Sequence, residues 1–272
     1  MEKPPSNSPP SDRHGEETDT TRVRLSVVVI AFNEADEIDD CLRSVDWADE
    51  IVVVDSGSAD RTVEIARRYT ARIIHRTWTG YADQKNFAVS QATHDWVFSL
   101  DADERVSEAL ALEVRTLLAD TPRHAGFYIP RRNFFLGRPI RYAGWSPDDV
   151  LRLFDRRTGR FEPRAVHESV HIEGSVGRLQ HPIIHFSYRT LSAFHERAGR
   201  YAHLAAGQMR EEGKRFHWMD LLGRPVWTFL KMYVIRQGWR EGGHGMLLCG
   251  LYAYYTFLKY ARLWEMQRSD SK

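Results

Sequence analysis

Four apolar runs mark the first 120 residues, and polar or acidic groups follow them. Residues 25–32 are Val-rich and show no polar alternation after Ser26, the pattern of a strand buried on both faces. Residues 51–54 form a second run, 71–75 a shorter third and 96–100 a fourth. Between them the apolar positions return at helical spacing. Ile38, Leu42 and Val45 recur at i, i+4 and i+7, with Asn33 ahead of them as a candidate cap and Glu34 and Asp36 in the first turn. Asp60 is placed to cap a helix running through Tyr69, and a further helix is predicted over residues 81–92. Ser107 caps a last one, with Leu110, Val114 and Leu117 facing inward. This βαβαβαβ order predicts a parallel sheet with helices on both faces, and such sheets bind ligands at the carboxyl ends of their strands. Asn33, Glu34, Asp55 and Asp101 all fall at those ends.

The pattern changes after Gly126. Residues 126–130, 133–136, 150–154, 166–172 and 183–187 read as short strands between Gly, Pro and Asp turns. From residue 190 the periodicity is helical: 190–212 with Gly213 as a stop, then 220–238 and 245–267. Residues 1–22 are rich in Pro, Ser, Thr and acid and are expected to form a disordered tail.

Composition narrows the class. The chain has 272 residues and a formal net charge of +1, so it carries no global nucleic-acid signature. The charge is uneven, because residues 189–272 hold 14 Lys and Arg against 7 Asp and Glu. Two cysteines far apart, Cys41 and Cys249, point to a reducing, cytoplasmic setting. No apolar secretory segment opens the chain, and the apolar run 246–258 is short of the roughly 20 residues a spanning helix needs. No G-x-G-x-x-G follows the first strand and no P-loop is present, which argues against dinucleotide and P-loop nucleotide binding.

The fourth run ends in Asp101-Ala102-Asp103-Glu104. In extended backbone alternate side chains share a face, so Asp101 and Asp103 can address one object, and a hard divalent cation prefers such oxygens. The same residues also suit a solvated acidic turn before a helix.

Four motifs in order, Val-Val-Ile-Ala-Phe-Asn-Glu at 28–34, Ile-Val-Val-Val-Asp-Ser-Gly-Ser-Ala-Asp-Arg-Thr at 51–62, Lys-Asn-Phe-Ala at 85–88 and Asp-Ala-Asp-Glu at 101–104, resemble the family 2 glycosyltransferases of the GT-A fold. Pro130-Arg131-Arg132-Asn133, Gly144-Trp145-Ser146-Pro147-Asp148, Arg152-Leu153-Phe154 and Val166-His167-Glu168 are similar to the branch that adds glucose to lipopolysaccharide inner-core heptose. The resemblance implies a GT-A domain over 23–188, its nucleotide-sugar half at 23–120 and its acceptor half at 121–188, followed by a helical region over 189–272. It implies an inverting transfer of a hexose, glucose first, from a nucleotide-diphosphate sugar, UDP first, with Mg²⁺ or Mn²⁺ as cofactor. Asp103 would hold the metal directly, and Asp101 would bind ribose or the metal through water. Asn33, Glu34, Asp55, Ser56, Gly57 and Ser58 would form the nucleotide pocket, with Lys85 toward the diphosphate. Asp148 is the first candidate base, Asp149 the second, and Glu168 competes. His167 is a further metal ligand or a phosphate contact, and Arg131, Arg132 and Arg152 are phosphate or acceptor contacts. A lipid-linked glycan acceptor is expected. Tyr252, Tyr254, Tyr255, Phe257, Tyr260 and Trp264, with Lys259 and Arg262, suit either a peripheral seat on the cytoplasmic membrane or packing within their own domain. A sugar-nucleotide nucleotidyltransferase and a non-catalytic carbohydrate- or membrane-binding module are the competing readings.

Overall fold

A computed structural model of the chain describes residues 22–162 and 169–269. All of the predicted tail but Arg22, together with His167, Glu168 and the start of the 166–172 run, lies outside them. The first half alternates strand and helix as its pattern predicts: β1 (Leu25–Ala31), α1 (Ile38–Arg43), β2 (Glu50–Asp55), α2 (Thr62–Ala66), β3 (Ile73–His75), α3 (Tyr81–Ser90) and β4 (Trp96–Asp101). β5 (Glu104–Val106) and α4 (Glu108–Leu117) complete it. Residues 121–188 contribute β6 (Gly126–Phe135), β7 (Arg138–Pro139), β8 (Asp149–Asp155), β9 (Gly159–Glu162), β10 (Ser169–Ile172), β11 (Val176–Arg178) and β12 (Ile183–Tyr188). The chain then turns helical, with α5 (Leu191–Glu211), α6 (Trp218–Leu230) and α7 (Gly243–Ser269).

The main sheet runs β3-β2-β1-β4-β8-β6-β12-β5. Its first four strands are parallel, whereas β8 is antiparallel to both β4 and β6. The sheet is therefore mixed, parallel across its first four strands and antiparallel around β8. All seven residues of β1 are buried, because helices cover both faces. Val27 and Val29 pack with Ile38, Leu42, Leu110 and Val114 on one face, and Val28 and Ile30 pack with Ala88, Val89 and Phe154 on the other. Each such side chain contributes about 1.5–3 kcal/mol on full burial. That core holds the strand ends rigid beneath the site.

Several local predictions shift. The candidate cap Asn33 does not cap: α1 starts at Ile38, and Asn33 adopts a left-handed φ of 55°. Predicted strands 126–130 and 133–136 form one strand, β6, whose first half pairs with β8 and β11 and whose second half pairs with β12. The Ser107 and Thr190 caps form as their sequences predict, accepting from Leu110 and Ala193 N–H. α7 packs against both α5 and α6 and is the middle of the helical region. Tyr260 and Leu263 are buried there, and Tyr252 meets the rings of Trp145 and Phe194. Part of the aromatic face expected at a membrane is thus internal packing, whereas Tyr254, Phe257 and Trp264 stay exposed. Among the described residues no helix is long and apolar enough to cross a membrane. Both cysteines are buried and free.

Candidate active site

The parallel register brings the strand-end residues together. Ala31 stands opposite Asp55, and Ile30 opposite Asp101, so the ends of β2, β1 and β4 lie side by side. The loops after β1 and β2 are stitched by side chains. Asn33 N–H donates to Ser58 Oγ at 2.8 Å, and Asn33 Oδ1 accepts from Ala59 N–H at 2.8 Å. Glu34 N–H donates to Thr62 Oγ1, and Ala35 N–H to Asp60. Asp55 is buried and organises the second loop, accepting from Gly57 N–H, Ser58 N–H and Ser58 Oγ. These are Asx-turn contacts, and they leave roughly one of its four lone-pair sites for a ligand. Gly57 has φ 93°, which suits a residue without Cβ. Ser56 Oγ accepts from Gln84 at 3.1 Å.

Asp101 closes β4 and meets two cations. Lys85 Nζ lies 2.8 Å from Asp101 Oδ1, and Arg152 binds the other oxygen. Lys85, on α3, is only 1% exposed and is no solvated surface lysine. Burial works against an ionised Asp101, yet Arg152 and Lys85 overcome it and hold the carboxyl far below the usual carboxylate range. Glu104 is fully buried beneath this pair. It accepts from Asp101 N–H at 3.0 Å and faces Arg131 and Arg152, each at 3.2 Å. Removing one partner of such a buried set generally costs about 3–5 kcal/mol. Glu104 therefore fixes the arginines that flank Asp101.

Asp103 sits where the chain leaves β4 for the far edge of the sheet. β5 pairs antiparallel with β12, and Phe186 N–H donates to Asp103 O at 3.0 Å. This places Asp103 beside His185, whose Nε2 is 3.5 Å from Asp103 Oδ2, and beside Arg197 of α5, also 3.5 Å away. Burial opposes ionisation of Asp103, but His185 and Arg197 hold its carboxyl below the usual range. The imidazole shifts the other way. Burial disfavours its charged form, yet Asp103 outweighs that and raises its proton affinity. On its other side His185 Nδ1 lies 2.6 Å from Asn133 Oδ1. Asn133 Nδ2 donates to Asp148 Oδ2 at 2.8 Å and to Trp145 O at 3.3 Å. With both acceptors on its amino side, Asn133 presents oxygen to His185, so Nδ1 carries the proton. The Asp103 carboxylate opposite Nε2 favours a proton there as well, so Nε2 would offer a lone pair only to a cation that displaced that proton, with the Asn133 amide still fixing the ring from its other side.

The structure thus joins Lys85, Asp101, Glu104, Arg131 and Arg152 in one cluster, and Asp103, His185, Asn133 and Asp148 in a connected second. Asp149, one residue along β8, turns to the other face and pairs with Arg178 of β11 at 2.9 Å. His167 and Glu168 lie outside the described residues. His185, Asn133, Arg197 and the structural part of Glu104 were not singled out from sequence. The His185 contact depends on β5 crossing to β12, which no local spacing signals.

A divalent cation fits this donor set in part. Asp101 and Asp103 supply oxygens and His185 an oriented nitrogen, yet no group of three or more His, Cys, Asp and Glu converges at metal-binding distance among the described residues. Mg²⁺ is commonly held by one or two carboxylates, with substrate phosphates and water completing its shell. Glu34 is half-buried in the same lobe. Burial first, and Asp103 second, push its carboxyl from 4.5 up to about 7. A group protonated more readily when folded contributes stability below its unfolded value and loses it as pH rises through the folded one. Melts of the ligand-free chain should accordingly lose stability between pH 4.5 and about 7. Glu34→Gln should flatten that slope by on the order of 1–3 kcal/mol. An unaltered slope would assign the pH dependence elsewhere.

Comparison with known proteins gives the family. The model of the family described as "Glycosyl transferase family 2" matches residues 26–179. The lipopolysaccharide core biosynthesis glycosyltransferase LpsC of Rhizobium meliloti is 33% identical over 256 residues, covering 90% of this chain and 93% of that protein. The uncharacterized glycosyltransferase RT0209 of Rickettsia typhi is 29% identical over 255 residues, covering 89% and 87%. Among solved structures, the mannosyltransferase PcManGT of Pyrobaculum calidifontis, in complex with GDP-Man and Mn²⁺, superposes with a TM-score of 0.50 at 17% identity, covering 91% of this chain and 89% of that one. The mixed sheet with its covering helices has the GT-A fold, and the chain belongs to glycosyltransferase family 2.

Proposed function

We propose that the protein transfers a hexose, glucose first, from a UDP-sugar to a glycan of the lipopolysaccharide core or another cell-envelope acceptor, with inversion at the anomeric carbon. The observation that carries this reading is that Asp101 ends its strand beside the loops of Asn33-Glu34 and Asp55, with Asp103 near enough to act on the Glu34 carboxyl. The likeness to LpsC supports the acceptor class. The loops after β1 and β2 would hold the nucleotide, and Asp101, pinned by Lys85 and Arg152, would meet its ribose. Asp103, with Asp101 and His185, would hold a divalent cation, which when bound supplies Lewis-acid stabilisation of the leaving diphosphate.

In the transfer the acceptor hydroxyl oxygen bonds to the anomeric carbon as the bond from that carbon to the diphosphate oxygen breaks. The hydroxyl proton passes to a carboxylate, and the nucleoside diphosphate departs. Asp148 is the candidate. Arg131 and Asn133 fix its orientation through Oδ2, while Oδ1 accepts only a 3.2 Å bond from Arg131 and keeps capacity for a proton. Asp149 and Glu168 remain the alternatives. A peripheral seat on the inner face of the cytoplasmic membrane belongs to the same reading.

Nucleotide-sugar turnover with cell-envelope acceptors, with and without Mn²⁺ or Mg²⁺, tests it. UDP-glucose should give metal-stimulated UDP release and a β-linked product by NMR. An α-linked product would remove inversion. Pyrophosphate release from a nucleoside triphosphate and a sugar phosphate would replace the reading with nucleotidyl transfer.

A further inference from the structure

Helix α6 buries one side and leaves the other bare. Leu221 is its buried residue, packed with Ala206, Tyr260 and Leu263. Met219, Leu222, Val226 and Leu230 recur at i, i+3, i+7 and i+11, so they form one stripe. They are 86%, 65%, 59% and 45% exposed. Val234 and Ile235 extend the stripe through a π-helical turn, Lys231–Ile235, and Trp239 follows in a 3-10 turn, Gly238–Glu241. Trp218, Trp227 and Trp239 mark its start, middle and end, all more than half exposed. A continuous apolar surface of this kind on a soluble domain generally marks an interaction site.

Its border is cationic. Between residues 214 and 240 lie six Lys or Arg and one acid, Asp220. Next to the start of α6 a cleft of about 560 Å³ is lined by Lys214, Arg215, Arg224 and Lys259, with Glu212 and Asp220. Lys214 and Arg224 use those two acids. Among the described residues no carboxylate lies within ion-pair distance of Arg215 or Lys259. Burial and the nearby Arg224 and Lys214 lower the proton affinity of Lys259, a mark of uncompensated positive charge.

We infer that the face from α6 to Trp239 lies in the surface of an anionic phospholipid bilayer, with lipid phosphates taken by the basic border and cleft. An amphipathic helix sinks its apolar side about 5–10 Å into the headgroup boundary, with Trp at headgroup level and Lys and Arg on the phosphates. A second copy of the chain fits this face less well. A two-fold contact would set the same cationic border against itself. The face is tied to the acceptor side. Glu241 accepts from Arg141 N–H and Tyr142 N–H at 2.7 and 3.0 Å, and Ala143 N–H donates to Arg236 O at 2.8 Å. That loop runs on to Trp145 and Asp148, both held by Asn133. Bilayer contact through α6 would therefore present the acceptor side of the site to a membrane-borne glycan. This last step rests on the transferase reading, whereas lipid contact is measurable without it.

The test is co-sedimentation of the full chain with phosphatidylcholine vesicles with and without phosphatidylglycerol, donor and acceptor omitted. Binding is expected to need phosphatidylglycerol and to weaken as salt rises. Leu222→Glu/Val226→Glu should lower partitioning by about tenfold while melting like the parent, since both sites are exposed. Arg215→Glu/Lys231→Glu should reduce the phosphatidylglycerol preference. Absence of binding, equal binding by Leu222→Glu/Val226→Glu, or a parent dimer that this variant dissolves would each overturn the inference. Transfer to a detergent-free, deacylated acceptor separates the two readings. If it proceeds without vesicle binding, only the lipid face fails; if vesicles bind and no glycan is modified, only the transferase reading fails.

Discussion

Asp103→Ala is expected to lower the transfer rate by about 10²–10³-fold, the loss that follows when several kcal/mol of charge stabilisation at the diphosphate disappear. The rate should also stop responding to added Mn²⁺ or Mg²⁺ over the range that stimulates the parent. Asp103→Asn separates charge from shape. It keeps an oxygen near His185 and Arg197 but removes the negative charge both groups face. A comparable loss in Asn and Ala variants would assign the effect to charge. Initial rates against metal concentration, with circular dichroism to show an intact fold, make the measurement. Undiminished, metal-stimulated turnover in Asp103→Ala would remove this residue from the site.

Asp148→Asn should reduce kcat by about 10²–10⁴-fold with a small change in KM, because a general base acts in the transition state more than in substrate binding. Asparagine can still accept from Arg131 and Asn133, so the local hydrogen bonds survive in part. Asp149→Asn provides the contrast. Its carboxylate is exposed and already paired with Arg178, and its loss should alter the rate less than about threefold. The pair of variants tests the order in which these two neighbours were ranked. If Asp148→Asn turns over like the parent, the proton acceptor lies elsewhere, and Glu168→Gln becomes the variant to measure.

The first 120 residues were legible because their signals are local. An unbroken Val-rich run is buried on both faces, a polar residue after it ends the strand, and in a parallel sheet all such ends lie along one edge. Asp55 and Asp101 could be brought together on that logic alone. The same logic misjudged Asn33. A cap and a loop-to-loop tie use the same side chain, and only the position of Ser58 and Ala59 in space tells them apart. Lys85 failed to declare its burial for a similar reason. A lysine is normally placed in solvent, and here the Asp101 carboxylate offsets its desolvation.

The rest of the chain was less legible because its contacts are long-range. His185 reaches Asp103 only because the chain crosses from β4 at the sheet centre to β5 at its edge, beside β12. The aromatic content of α7 suggested a membrane face, but composition does not say which side of a helix finds a neighbour. α5 and α6 cover part of it, and the bare apolar stripe falls on α6 instead.

By itself the sequence determined a parallel αβ frame, its family resemblance and the acidic end of the fourth strand, since these rest on periodicity and on motifs a few residues long. Tertiary structure alone decided which charges neutralise one another around Asp101, which imidazole faces Asp103 and which helix is left uncovered. The reason is physical. Burial and pairing are properties of groups far apart in the chain, and the energies that fix them arise only when the sheet closes and water is excluded from between them.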